Sequence, residues 1–128
     1  MTVHDLSPDT ATAERCVGLL AHLPERVHDR SRRPVKHGRF SAAWGRPPIT
    51  LRCGVPKPPG LGPTSQCFEV NGVGWYAEAA QGGYLFTTIG RPAYVEVSVP
   101  SEFAPEANAL VDVAGPINAY DPIEQPCR

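Results

Sequence analysis

The chain has 128 residues, a mass of 13.8 kDa, a formal net charge of −1 and a pI near 6.4, values that fit one domain and exclude a general electrostatic pull toward nucleic acid. A hydrophobic content of 41% with 20% charged residues excludes a disordered chain, and fifteen prolines with twelve glycines exclude a bundle of long helices. No apolar run approaches the roughly 20 residues of a membrane span, and the residues from Met1 to Pro8 lack the basic and apolar regions of a secretory leader.

Ser7 as N-cap and Pro8 at the first helical position predict a helix that runs until Pro24, with residues 1–6 flexible before it. Ala13, Cys16, Val17, Leu20 and Leu23 recur at spacings of three and four, so that face should be buried. Arg26, Arg30, Arg32, Arg33, Lys36 and Arg39 then place half of the twelve basic residues in one stretch. It reads either as a solvated loop or as a patch for anionic envelope polymers or lipid head groups. The C-terminal part answers with Glu96, Glu102, Glu106, Asp112, Asp121 and Glu124.

Ile49, Leu51 and Cys53 alternate with Thr50 and Arg52, the period of a half-buried strand over residues 49–55. The prolines and glycines of 56–63 predict an extended connector that cannot supply a regular ladder of hydrogen bonds. Asn71-Gly72 between residues 67–70 and 73–77 signals a hairpin. Further strands are expected over 84–89 and 94–99; in the second, Val95, Val97 and Val99 face one way and Tyr94, Glu96 and Ser98 the other. That alternation implies an antiparallel sheet with one wet face. A last helix is expected from Pro105, burying Ala107, Leu110, Val111 and Ala114 and ending before Pro116. The expected fold is therefore a single α+β domain spanning 1–128, with an antiparallel sheet of about four strands between an N-terminal and a C-terminal helix.

The cysteines Cys16, Cys53, Cys67 and Cys127 are too dispersed for a metal knuckle, and His4, His22, His28 and His37 lack the spacing of a zinc-binding helix, so no metal and no cofactor is expected. An even number of dispersed cysteines reads as two disulfides in an oxidising compartment, or as buried free thiols of a cytosolic protein. Periodicity points both Cys16 and Cys53 into the core and makes them the preferred pair, which leaves Cys67 for Cys127.

The segments Ala43-Trp44-Gly45-Arg46-Pro47-Pro48-Ile49-Thr50-Leu51-Arg52-Cys53-Gly54-Val55, Pro63-Thr64-Ser65, Val70-Asn71-Gly72-Val73-Gly74-Trp75, Phe86-Thr87-Thr88-Ile89-Gly90-Arg91 and Val97-Ser98-Val99-Pro100 are distinctive. In this order they resemble the actinobacterial family called domain of unknown function 3515, described as exported or membrane-anchored proteins. The likeness runs from about Cys16 to Ala114. It implies an extracytoplasmic location, an N-terminal hydrophobic leader or anchor absent from this sequence, and cysteines matching Cys16 and Cys53. It implies no activity.

Catalysis finds little support in the sequence. There is no nucleophile elbow, and Ser41, Ser65, Thr87 and Thr88 read as strand or turn hydroxyls. Glu69, Glu78 and Glu96 are strand carboxylates with no sign of pairing across a cleft. Gly72-Val73-Gly74 lacks the third glycine of a dinucleotide loop. Trp44, Arg46, Arg52, Trp75, Tyr76 and Arg91 remain, near predicted turns. One reading packs both tryptophans in the core and pairs the arginines with strand carboxylates. The other makes the six a ligand-binding surface, since tryptophan, tyrosine and arginine concentrate binding energy. Arg52 and Arg91 are expected outside any dry core. The functional expectation is a non-catalytic envelope module that binds an envelope protein or an anionic wall polymer, with no nucleic-acid partner. The alternatives are an envelope hydrolase, marked by paired carboxylates in a cleft or a hydroxyl touching a histidine, and a structural subunit using an exposed edge strand.

Overall fold

A computed structural model describes residues 8–36 and 38–127. Helix α1, Thr10–Ala21, begins at Asp9, whose carboxylate accepts the Thr12 N–H at 2.8 Å. The bond satisfies a first-turn donor and holds the Asp9 carboxyl below the usual carboxylate range. The expected cap at Ser7 and the expected flexibility of 1–6 lie outside the described residues. Cys16, Leu19 and Leu23, three and four apart, form the buried stripe of this segment, whereas Val17 is 48% exposed. The helix is thus turned slightly from the expected face, with Leu19 inside in place of Val17.

Among the described residues eight strands follow: β1 Arg26–Val27, β2 Arg30–Arg33, β3 Ser41–Trp44, β4 Ile49–Cys53, β5 Phe68–Val70, β6 Val73–Ala80, β7 Gly83–Thr88 and β8 Val95–Pro100. They form one sheet in the order β1-β2-β3-β4-β8-β7-β6-β5, antiparallel throughout. Two short 3-10 helices, Ser101–Phe103 and Glu106–Val111, and helix α2, Ala114–Tyr120, complete the chain. An α+β fold with about four strands between two helices is therefore overturned: the protein is mostly β.

The missed strands lie at one side of the sheet and carry no apolar alternation. Arg-Ser-Arg-Arg of β2 has no buried residue, and Ser-Ala-Ala-Trp of β3 is buried at every position. The basic stretch, expected as a loop, is largely the β1–β2 hairpin. Its turn residues His28 and Asp29 both take positive φ, 51° and 59°, a conformation that His and Asp accept more readily than most residues but that advertises itself less than Asn-Gly. The expected hairpin at Asn71-Gly72 forms between β5 and β6, with φ of 50° and 83°. At the C-terminus, Pro116 does not stop a helix; it sits in the first turn of α2, where its missing N–H costs no intrahelical bond. Leu110 and Ala114 are buried as their spacing predicts, but Val111 is 46% exposed.

The sheet is two consecutive meanders, β1 to β4 and β5 to β8, that meet where β4 pairs with β8. The chain leaving β4 must therefore pass β8, β7 and β6 to reach β5, about 19 Å at the usual strand spacing. The proline-rich connector makes that crossing, and the Tyr76 hydroxyl of β6 lies against Gly60 so closely that a Cβ there would have to displace it. Strand partners share a face, so one row across the sheet reads Ser41, Arg52, Glu96, Thr87, Tyr76. The connector covers this face at Tyr76. The opposite face carries Trp44, Ile49, Leu51, Cys53, Val95, Val97 and Val99, all at most 1% exposed, and the helices pack on it.

Cys16 of α1 is bonded to Cys53 of β4, and Cys67 to Cys127, with Cα separations of 5.6 and 5.5 Å. The first bridge ties α1 to the core face of the central strand. The second ties the C-terminal tail to the start of β5, and its sulfurs lie where a Cβ at residue 74 would stand, which is why glycine occupies that position.

Candidate binding face

The basic stretch forms a corner. In β2 the side chains alternate. Arg32 is opposite Trp44, with its guanidinium 5.8 Å from the indole centroid, and Arg33 is opposite Ala43 and donates to the Gly45 carbonyl at 2.9 Å. Arg30 lies over the Phe103 ring and Arg39 over the Phe40 ring, each at 5.0 Å. Stacking of this kind holds a guanidinium while leaving its charge unneutralised. Among the described residues, the ion pair formed by a residue of this stretch is Arg26 with Asp29, at 3.7 Å in the open.

Arg32, Arg33 and Ser41, with Pro34, Val35, Gly38 and Ala42, line a cavity of about 320 Å³ whose acidic neighbour is Glu25. Ser41 also begins the polar row that crosses the sheet, and Tyr76 ends it. Midway, Arg52 Nε donates to Glu96 Oε2 at 2.7 Å. Tyr76 borders a second cavity of about 280 Å³, together with Gln66, Cys67, Phe68 and Ala77.

The six residues singled out as a binding surface are divided. Arg52 and Tyr76 share the polar row, with β8 and β7 between their strands. Arg46 is exposed in the β3–β4 turn. Trp44 and Trp75 are fully buried in the core; the Trp44 indole donates to the Pro24 carbonyl at 3.0 Å, while the Trp75 N–H has no partner among the described residues.

Arg91, expected outside the core, is 6% exposed. Its Nη1 donates to the carbonyl oxygen of Asp121 at 2.8 Å, and its Nη2 to those of Gly72 at 2.9 Å and Asn118 Oδ1 at 2.8 Å. The turn position predicted exposure, but α2 folds back over it and supplies acceptors that compensate for lost water. Burial lowers the Arg91 pKa, an effect the charge of Asp121 opposes. Asp121, which the sequence marks only as one of the late acidic residues, is fully buried. Its carboxylate accepts the Ala93 N–H at 3.0 Å, and burial pushes its pKa up to about 6. No sequence signal short of the tertiary contact marks it.

The described residues hold no group of three or more His, Cys, Asp or Glu side chains placed to bind a metal ion. A hydroxyl does touch a histidine: the Tyr120 phenol lies 3.0 Å from His22 Nε2, and the rings stack at 4.5 Å. His22 Nδ1 is 2.9 Å from the Gly18 carbonyl. The pair joins α1 to α2 and borders neither of the two cavities, so it serves as a helix contact.

Two disulfides point to an oxidising, extracytoplasmic environment. No helix of the described residues is long and apolar enough to cross a membrane. Neither a curated protein nor a solved structure matches the chain. Over residues 1–125 the chain matches the family described as "Protein of unknown function (DUF3515)", and it belongs to that family.

Proposed function

We propose that the chain is a non-catalytic, extracytoplasmic binding module of the cell envelope, whose basic corner holds an anionic wall polymer. The observation that carries this reading is the cavity between β2 and β3. Two arginines and one carboxylate, Glu25, line it, and Lys36, next in sequence to the lining residue Val35, is exposed. Such a corner attracts a chain of negative charges without needing a deep pocket, because several weak charge contacts along a polymer add. The resemblance to exported or anchored proteins supports a place for the module at the outer membrane surface, near the wall.

The test is binding of the folded chain to purified anionic wall-polymer fragments, with neutral glycan fragments as the control. Replacing the exposed Lys36 and Arg39 by Gln, alone and together with Arg32→Gln, should weaken binding by roughly tenfold for the set, and affinity should fall as salt rises. Equal binding by the variants, or none by the parent, overturns the reading. Selective binding of an envelope protein in place of the polymer overturns the ligand class.

A further inference from the structure

The two disulfides occupy opposite environments. Cys16 and Cys53 are both fully buried between α1 and the central strand β4. Cys67 and Cys127 are both partly exposed, and Cys67 forms part of the wall of the 280 Å³ cavity with Gln66, Phe68 and Tyr76. Thiol–disulfide exchange needs a thiolate to approach one sulfur along the S–S axis, so access decides which bridge can react while the protein stays folded.

We infer that Cys67–Cys127 is a thiol–disulfide exchange site, reduced by a dithiol oxidoreductase, that releases the C-terminal tail while Cys16–Cys53 keeps the fold. The thiolate of the oxidoreductase attacks Cys67 Sγ through the cavity. A mixed disulfide forms at Cys67 and Cys127 leaves as a thiolate, which takes up a proton. The second thiol of the oxidoreductase then attacks its own sulfur in the mixed disulfide and expels Cys67 as a thiolate, which is protonated in turn. The protein gains two thiols and the oxidoreductase is left with one disulfide. The edge strand β5 begins at the next residue, Phe68, and no strand lies beyond it among the described residues, so an incoming chain meets backbone as well as sulfur.

The release is bounded by structure. Before the bridge, the tail is held by the Glu124 and Gln125 N–H groups, both donating to the Gly90 carbonyl. Asp121 and α2 stay clamped by Arg91 through Asp121, Ile117 and Asn118. Opening is thus confined to the residues after Gln125, and it frees the Cys127 sulfur from Gly74, against which both sulfurs rest. This inference does not depend on the polymer reading.

The test is stepwise reduction of the folded full chain with dithiothreitol, with iodoacetamide labelling and peptide mass spectrometry, followed in parallel by circular dichroism. Cys67 and Cys127 should label at least about tenfold faster than Cys16 and Cys53, with the β signal unchanged. Labelling of all four at one rate, labelling of Cys16 and Cys53 first, or resistance of all four until the fold is lost overturns the inference. In a second arm, a thioredoxin-fold dithiol protein whose resolving cysteine is replaced by serine should be trapped at Cys67. Trapping at Cys127, or no trapping, overturns the assigned point of attack.

Discussion

Arg91 binds the backbone carbonyl of Asp121 at 2.8 Å and not its carboxylate, although the two residues meet in the interior from positions thirty apart. The carboxylate takes the Ala93 N–H with one oxygen, and its other oxygen has no partner among the described residues. Burial therefore dominates and raises the carboxyl pKa to about 6, against an ordinary value of 3.8.

The pH dependence follows from that rise. Between about pH 4 and 6 the folded state keeps a proton that the unfolded state has lost, so stability falls as pH rises through this window. Above the folded pKa both states are ionised and the full cost of the buried charge, on the order of 3 kcal/mol, is present. Urea unfolding from pH 4 to 7 should show this loss, and Asp121→Asn, which keeps an acceptor for Ala93, should flatten it. An unchanged slope in the variant would show that Asp121 is not its source.

The two tryptophans should respond differently to Phe. Trp44→Phe removes the donor to the Pro24 carbonyl as well as volume, so it should cost about 2–4 kcal/mol. Trp75→Phe removes an N–H that has no partner among the described residues, and the loss of that buried polar group offsets part of the packing loss, leaving about 1–2 kcal/mol. Chemical denaturation of both variants ranks them, and a larger loss for Trp75→Phe contradicts the assignment.

Arg52 and Glu96 are cross-strand partners on β4 and β8, and the Glu96 side chain is only 14% exposed. A double-mutant cycle with Arg52→Met and Glu96→Gln should give a coupling of about 1 kcal/mol. The single Arg52→Met change should cost more than the double change removes beyond it, because it strands the more buried charge. A coupling near zero would mean that the pair merely fills the polar row.

Loop closure alone makes the two disulfides nearly equal, about 4 kcal/mol each for separations of 37 and 60 residues. Burial separates them. Cys16→Ala with Cys53→Ala also loses packing in the core, so this pair should unfold at lower urea than Cys67→Ala with Cys127→Ala. The opposite order would place the larger packing contribution at the tail.

Much of the central sheet was legible as pattern. Ile49, Leu51 and Cys53 in β4 and Val95, Val97 and Val99 in β8 alternate because each strand has one face on the core and one on the polar row. Asn71-Gly72 marks its hairpin because both residues accept positive φ. The β1 to β3 side was hidden: β2 buries nothing, β3 buries everything, and period two appears only where the faces differ.

The candidate site divided in the same way. Charge density along residues 26–39 belongs to the sequence, since half of the basic residues stand there whatever the fold. Pattern and spacing alone likewise selected the two cysteines that face the core and the hairpin between β5 and β6. Only tertiary structure turned the basic stretch into a corner beside a cavity, buried Arg91 and Asp121 under α2, and made one disulfide closed and the other open. Local periodicity reports the face a residue presents within its own element, whereas exposure at a turn or terminus depends on what a distant segment lays over it.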